Sequence, residues 1–204
     1  MITESAPVVA DRLERFAQLV ADSPHNLVSK RARAELLTRH VPEAVAVATL
    51  LPQGTGRLLD VGSGGGFPGM VIAIVRPELQ VHLLDATAKK TAFLRSASAA
   101  LGVDVTVHTG RAEELVRTEL GGSFDLVTAR AVAPLARLLP WTIPFLRPGG
   151  VLCAIKGERW EEELQAAASL LGRLGARLLA TPDDLPESGP DAVAPRVLLL
   201  SRAR

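Results

Sequence analysis

The spacing of apolar positions divides the chain into a helical beginning and an alternating remainder. Residues 8–21 set Val9, Leu13, Phe16 and Val20 at helical intervals, and Asp22-Ser23-Pro24 predicts where that helix stops. A second helical region is predicted from about Arg33 to Leu51. Pro42 inside it marks a break or a new start, because a proline ring cannot continue the preceding turn. Pro52-Gln53-Gly54-Thr55-Gly56 is a loop by composition.

From Arg57 onward, short apolar runs alternate with amphipathic ones. Strands are predicted at Arg57–Val61, Gln80–Leu84, Val103–His108, Phe124–Thr128 and Val151–Ile155. Two more, Arg177–Ala180 and Arg196–Ser201, close the chain around an irregular Pro- and Asp-rich loop. Helices are predicted from the glycine loop 62–66 to about Arg76, at Lys89–Leu101 and at Glu161–Leu174. This alternation argues for an α/β fold, a mainly parallel seven-stranded sheet with helices on both faces and its ligand at the carboxyl ends of the strands. Residues 1–52 read as an N-terminal helical extension and residues 53–204 as the core of one domain. No internal repeat, low-complexity tract or coiled-coil heptad interrupts the pattern.

Composition adds limits rather than a function. Apolar residues make up 48% and charged residues 22% of 204 positions, an ordinary globular balance with enough chain for one core. Apolar stretches such as Val71–Val75 are far too short to span a bilayer, and Met1–Ala10 carries Glu4 with no basic cluster before an apolar run, unlike a signal peptide. The lone cysteine, Cys153, excludes an internal disulfide framework and fits a reducing compartment; mid-strand, it reads as a buried core thiol. A soluble cytoplasmic protein is expected and, with no large exposed apolar face evident, a monomer. A net charge of +1 gives little sign of nucleic-acid binding, although the cations are mostly Arg, the better phosphate fork. With 3% aromatics and no Tyr, any contact to a nucleic-acid base relies little on stacking. His25, His40, His82 and His108 show no metal-ligand spacing, so no metal is expected.

The chemistry concentrates in Leu58-Leu59-Asp60-Val61-Gly62-Ser63-Gly64-Gly65-Gly66-Phe67-Pro68-Gly69. A strand feeds straight into a glycine-rich turn and then an apolar helix. Glycine suits such a turn because it is tight and because a ligand must approach the backbone. The dinucleotide fingerprint wants glycine at the first, third and sixth positions, and here those are Gly62, Gly64 and Phe67. The Gly-x-Gly-x-Gly form does hold, with Asp60 two residues ahead, and looks like the first motif of class I methyltransferases, which bind S-adenosylmethionine. No Gly-Lys-Ser or Gly-Lys-Thr is present, which excludes a Walker loop. A glycine-rich turn that binds nothing is the plainer alternative, against which stands the entropy that so many glycines cost. Asp85, ending the second strand, can accept hydrogen bonds from both hydroxyls of a ribose or cap the following helix. After the third strand, Ala112 and Glu113 are candidates for an adenine edge, or simply a solvated helix start.

Five stretches in order resemble one family. Asp60–Gly69, with its Phe-Pro-Gly extension, resembles the cofactor loop of the bacterial RsmG (GidB) family. Asn26-Leu27-Val28-Ser29 with Arg39-His40, then Thr128-Ala129-Arg130-Ala131, Ala154-Ile155-Lys156-Gly157 and Pro195-Arg196 are similar to its other signatures, so the likeness runs over about residues 26–200. Gly65 departs from it, since the family often has Pro there. The resemblance implies a Rossmann-like class I methyltransferase that modifies N7 of one guanine in the decoding-region loop of 16S ribosomal RNA, on the small ribosomal subunit. Carried over, it implies that Gly62, Phe67, Ala112, Glu113 and Arg130 contact S-adenosylmethionine; Asp60, Asp85 and the rest of the glycine loop, Ser63, Gly64 and Gly66, complete that site by the class I pattern. Asn26, His40, Lys156 and Arg196 are implied near the RNA or the guanine, with Arg130 and Lys156 at its edge or the flanking phosphates. For Arg130 and Lys156 the plainer alternative is a surface salt bridge, and for His40 a helix C-terminal histidine.

Guanine N7 has an exposed lone pair and no proton, so such a reaction needs positioning rather than a general base. The chain lacks the Asp/Asn-Pro-Pro-Tyr/Phe motif of exocyclic-amine methylation and a Pro-Cys nucleophile for cytosine C5. Two rivals are a nicotinamide-dependent oxidoreductase, opposed by Phe67 and by the absence of Tyr, and a non-catalytic RNA-binding module, which leaves the glycine loop unexplained. Methylation of a different RNA is a third.

Overall fold

The computed structural model describes residues 5–185 and 194–203. The chain opens with helix α1 (Ala6–Asp22), the short α2 (Lys30–Ala34), a π-helical turn (Leu36–His40) and α3 (Val41–Leu50). Strand β1 (Gly56–Val61), α4 (Gly69–Val75), β2 (Leu79–Asp85), α5 (Ala88–Leu101) and β3 (Val105–Thr109) follow. Then come α6 (Ala112–Leu115), β4 (Phe124–Arg130), α7 (Leu135–Thr142), β5 (Leu146–Ile155), α8 (Trp160–Arg173), β6 (Ala176–Ala180) and β7 (Val197–Arg202). The strands form one seven-stranded sheet in the order β3-β2-β1-β4-β5-β7-β6. Pairing is parallel from β3 to β5, and β7 runs antiparallel to both β5 and β6. Strand order reverses between β1 and β4, and the crevice at their carboxyl ends is where open α/β sheets bind ligands.

The central strands alternate their faces. Leu58 joins a core with Phe16 and Val20 of α1, Val47 of α3, Met70 and Ile72 of α4 and Leu94 of α5. Leu59, Val61, Val127 and Ala129 face the opposite side, against Leu135 and Leu139 of α7 and Ala167 of α8. The N-terminal helices are thus built into the same apolar cluster as the glycine-loop helix. Two arginines, half-buried Arg33 and buried Arg76, tie the layer together through carbonyl oxygens left unpaired at helix ends. Arg33 donates to Ala21 O (2.7 Å) and Ser23 O (3.2 Å), and Arg76 donates to Ala48 O (3.0 Å) and Pro52 O (3.1 Å). Among the described residues, no helix is long and apolar enough to cross a membrane.

The differences from the predicted elements have local causes. The region from Arg33 divides at Glu35, and Pro42 sits in the first turn of α3, where its missing N–H is not needed. Val103 lies outside β3 because left-handed Gly102 and the bond from Val103 N to Ser98 O (3.1 Å) finish α5. Strand β5 starts earlier, at Leu146 opposite Phe124, with a register shift before Leu126. Helix α7 was not predicted: Pro140 interrupts the stretch, although Leu135, Leu138 and Leu139 keep helical spacing. Part of the Pro- and Asp-rich loop between β6 and β7 lies outside the described residues, as do residues 1–4.

Away from the crevice, His82 of β2 and His108 of β3 stack 5.2 Å apart with 2.9 Å between Nδ1 and Nε2, and the edge of Phe124 packs on His82. Burial, then the charges of Arg57 and His108, push His82 down from 6.5 to about 4; burial, then Arg57 and Arg95, also lower His108. The unfolded chain therefore takes up protons first as pH falls. The stability contributed by the neutral pair is complete above pH 6.5 and drains as pH falls towards about 4. We expect Tm to decline over that window and the decline to be shallower in a His82→Gln/His108→Gln variant. Equal slopes in the two proteins would exclude the pair as its source.

Candidate functional site

The turn after β1 is braced by its neighbours before any ligand is considered. Gly62 N and Ser63 N donate to Leu84 O (2.8 and 2.9 Å), while the Ser63 hydroxyl donates to Asp60 O (2.8 Å) and accepts from Leu84 N (3.1 Å). Asp85 Oδ2 accepts from Gly64 N (2.9 Å) and its Oδ1 from Thr87 N (2.8 Å), so it holds the loop and the entrance to α5 together. Gly62 has φ +73°, and an added Cβ would lie 2.7 Å from Val132 Cγ2. At Gly66 a Cβ would come within 2.7 Å of the Phe16 ring, so α1 packs directly on the loop.

Two hollows flank this turn and share Gly62 as a common wall. One, of about 210 Å³, is lined by Asp85, Ala112, Glu113, Val132 and Trp141. The other, of about 470 Å³, is lined by Ser63, Gly64 and Phe67 of the loop with His40, Glu43, Arg130 and Lys156. Of the predicted positions, Asp85, Ala112 and Glu113 belong to the first group, Ser63, Gly64, Phe67, His40, Arg130 and Lys156 to the second, and Gly62 to both. In the second group, Arg130 Nη1 donates to Glu43 Oε2 (3.0 Å) and faces His40 Nδ1 (3.0 Å), and its guanidinium lies 5.4 Å from the centre of the Phe67 ring. Burial pushes the Glu43 carboxyl up, but its surroundings, the Arg130 guanidinium among them, outweigh it and hold it below the usual range.

Asp60, beneath the loop, and Gly66, buried within it, line neither hollow. Asp60 is 1% exposed; its Oδ2 accepts from Gly69 N (3.2 Å) and its Oδ1 from the Thr128 hydroxyl (2.8 Å). Burial is the largest influence on this carboxyl and raises its pKa, against the hydrogen bonds that lower it. Its contacts brace β1, β4 and α4 against one another. Lys156 is likewise held by its surroundings. Its side chain is 5% exposed, its ammonium donates to Ala133 O (2.9 Å), and it pairs with Glu163 Oε2 (2.6 Å). That carboxylate oxygen also accepts from Leu135 N (2.7 Å). Lys156 therefore anchors the 131–135 turn and carries its own counter-charge. Arg196 is exposed, with its carbonyl accepting from Lys156 N (2.8 Å), and Asn26 lies exposed in a shallow depression with Lys30.

Sequence reasoning missed Glu43, Val132, Trp141 and Glu163. Left-handed Ala131 (φ 53°), which turns Val132 towards Gly62, leaves no mark in sequence because alanine rarely adopts that conformation. The missed carboxylates did have a signal: Arg130 and Lys156 near a buried crevice need counter-charges. Cys153 is fully buried, with its thiol pushed up to about 12 by burial and then by the Asp60 charge, and has no nucleophilic role.

The fold and the sequence were compared with known proteins. A cofactor-bound protein from MTB, Rv0187, superposes with a TM-score of 0.58 at 21% identity, covering 100% of this chain and 94% of that one. An MtNAS mutant in complex with S-adenosylmethionine gives 0.62 at 20% identity, covering 95% and 73%. Identities this low establish the shared Rossmann-like fold alone. By sequence, "Ribosomal RNA small subunit methyltransferase G" of Sorangium cellulosum is 43% identical over 184 residues, 88% of this chain and 77% of that protein. The Thermobifida fusca protein of the same name is 44% identical over 173 residues, 83% and 70%. The family model described as "GidB: rRNA small subunit methyltransferase G" matches residues 10–183, and the chain belongs to that family.

Proposed function

We propose that this protein transfers a methyl group from S-adenosylmethionine to N7 of a guanine in the decoding-region loop of 16S ribosomal RNA. The observation that carries the reading is the pair of hollows meeting at Gly62, one suited to a nucleoside and the other to an acceptor base. Asp85 spends one hydrogen bond on each carboxylate oxygen, and a carboxylate has about four acceptor sites, so capacity remains for two ribose hydroxyls. Glu113 and Ala112 line the same hollow as Asp85, which supports an adenine edge beside them. The bound cofactor supplies an electrophilic sulfonium methyl. The chain's own task is to hold that methyl in line with a lone pair that carries no proton, which is a matter of proximity. Arg130 remains at the acceptor hollow, and its Nη1 contacts leave other guanidinium donors for the base or its phosphate. Of the two cations proposed for RNA, exposed Arg196 is the better placed to meet a phosphate.

The test pairs calorimetry with RNA analysis. S-adenosylmethionine or its demethylated product should bind, and NADH should not. Digested 16S RNA from cells lacking the protein should be missing one 7-methylguanosine, restored when purified protein is added to their small subunits. Tight NADH binding, or an unchanged set of methylated guanines, would overturn the assignment.

A further inference from the structure

The contact between Arg130 and His40 constrains where the imidazole keeps its proton. A guanidinium has only donors, and Nη1 of Arg130 lies 3.0 Å from His40 Nδ1 and 3.0 Å from Glu43 Oε2. One Nη1 hydrogen serves the carboxylate and the other the ring, so Nδ1 must be the bare, accepting nitrogen. His40 is then neutral with its proton on Nε2. The distance from Glu43 Oε2 to Nδ1 is 3.7 Å, beyond a hydrogen bond, but it marks a competing arrangement in which Nδ1 carries the proton towards Glu43. Arg130 decides between the two, and Glu43 holds Arg130. Nε2 stands out for a second reason. Among the described residues it is the buried side-chain nitrogen or oxygen found without a hydrogen-bond partner. An unpaired N–H sealed from water is costly, and His40 is among the residues that line the acceptor hollow, so a base that reaches this N–H has first to displace the side chains covering it.

We propose that Glu43, acting through Arg130, fixes His40 as its Nε2–H tautomer, and that this N–H donates to the carbonyl oxygen of the base that receives the methyl group. The second half rests on the guanine reading above. Beside N7, guanine carries the acceptor O6 whereas adenine carries an amino donor. A fixed N–H at that point admits guanine, refuses adenine and leaves the N7 lone pair free. No proton is transferred; Glu43 is a positioning residue and His40 determines specificity.

Nitrogen-15 shifts of the histidine rings in the full-length protein report the tautomer directly, and four histidines make assignment tractable. Wild-type His40 should carry its proton on Nε2. In Arg130→Met the proton should move to Nδ1, opposite the released Glu43, and Glu43→Gln should give a mixture. A protonated Nδ1 in the wild type, or a tautomer indifferent to both substitutions, would overturn the positioning role. Methyl transfer to small subunits tests the donor. His40→Gln places an amide near Nε2 and should keep kcat/KM within about tenfold, whereas His40→Asn reaches only the Nδ1 position and should lose roughly a hundredfold with cofactor Kd unchanged. Equal losses in the two variants would overturn the donor role. A wild-type protein that binds cofactor but methylates no guanine would remove the guanine reading and the donor role with it, while the ring shifts still decide the positioning.

Discussion

Gly62→Val should reduce S-adenosylmethionine binding below detection while leaving the fold in place. Valine at φ +73° is strained by about 1–2 kcal/mol, because its Cβ crowds the following carbonyl. The larger effect is local: the new Cβ would lie 2.7 Å from Val132 Cγ2, and Gly62 walls both hollows. Either the 131–134 turn moves or the loop does, and each movement fills the space between nucleoside and acceptor. A loss of a hundredfold or more in affinity needs only about 2.7 kcal/mol. Gly172→Ala is the matched control. It lies within α8, nothing stands within 4 Å of its added Cβ, and the change should stabilise the helix by about 0.5–1 kcal/mol with binding unaltered. Calorimetry and circular dichroism on both variants check this. Normal cofactor affinity in Gly62→Val would show that the ligand does not cross this turn.

What could be read from the sequence follows the range of the forces involved. The sheet and its helices were legible because β1, β2 and β4 are short apolar runs and because a glycine-rich turn between strand and helix has few meanings. The reversed β7 was not read as such, since pairing direction depends on the connection through residues 181–196 rather than on the strand's own residues. Helix α7 was lost to Pro140, a local signal overridden by Leu135, Leu138 and Leu139 packing beneath β4.

The site divides along the same line. Gly62, Asp85, Ala112 and Glu113 could be named from sequence because each sits at the end of a recognisable strand, and strand ends converge in this topology. Charge partners are long-range facts. Nothing in sequence links Glu43 to Arg130, or Glu163 to Lys156, yet those pairs decide how each cation is held at the wall of the hollow. A cation at a strand end is therefore an ambiguous signal until its counter-charge is located, and here both counter-charges lie in half-buried or buried pairs rather than at the surface.

Asp60 separates a structural from a ligand-binding carboxylate, and two substitutions distinguish the roles. In Asp60→Ala the Gly69 N–H and the Thr128 hydroxyl lose their buried acceptor, at about 1–3 kcal/mol for each unsatisfied group, so Tm should drop by several degrees or more. Asp60→Asn keeps one oxygen for Gly69 N, and its amide can donate to Thr128 Oγ1, which then accepts. Burial raises the pKa of the wild-type carboxyl above its ordinary 3.8, so the folded state binds that proton more tightly than the unfolded chain. By linkage, ionised Asp60 costs stability at neutral pH, and the cost disappears as pH falls through the raised value. The asparagine variant, with nothing to ionise, should match or exceed the wild type at pH 7 and lose that advantage in acid. If Asp60 is a strut, Asp60→Asn retains cofactor affinity and Asp60→Ala loses affinity only in step with its stability. An Asp60→Asn protein with wild-type Tm and no S-adenosylmethionine binding would place the carboxylate on the ligand instead.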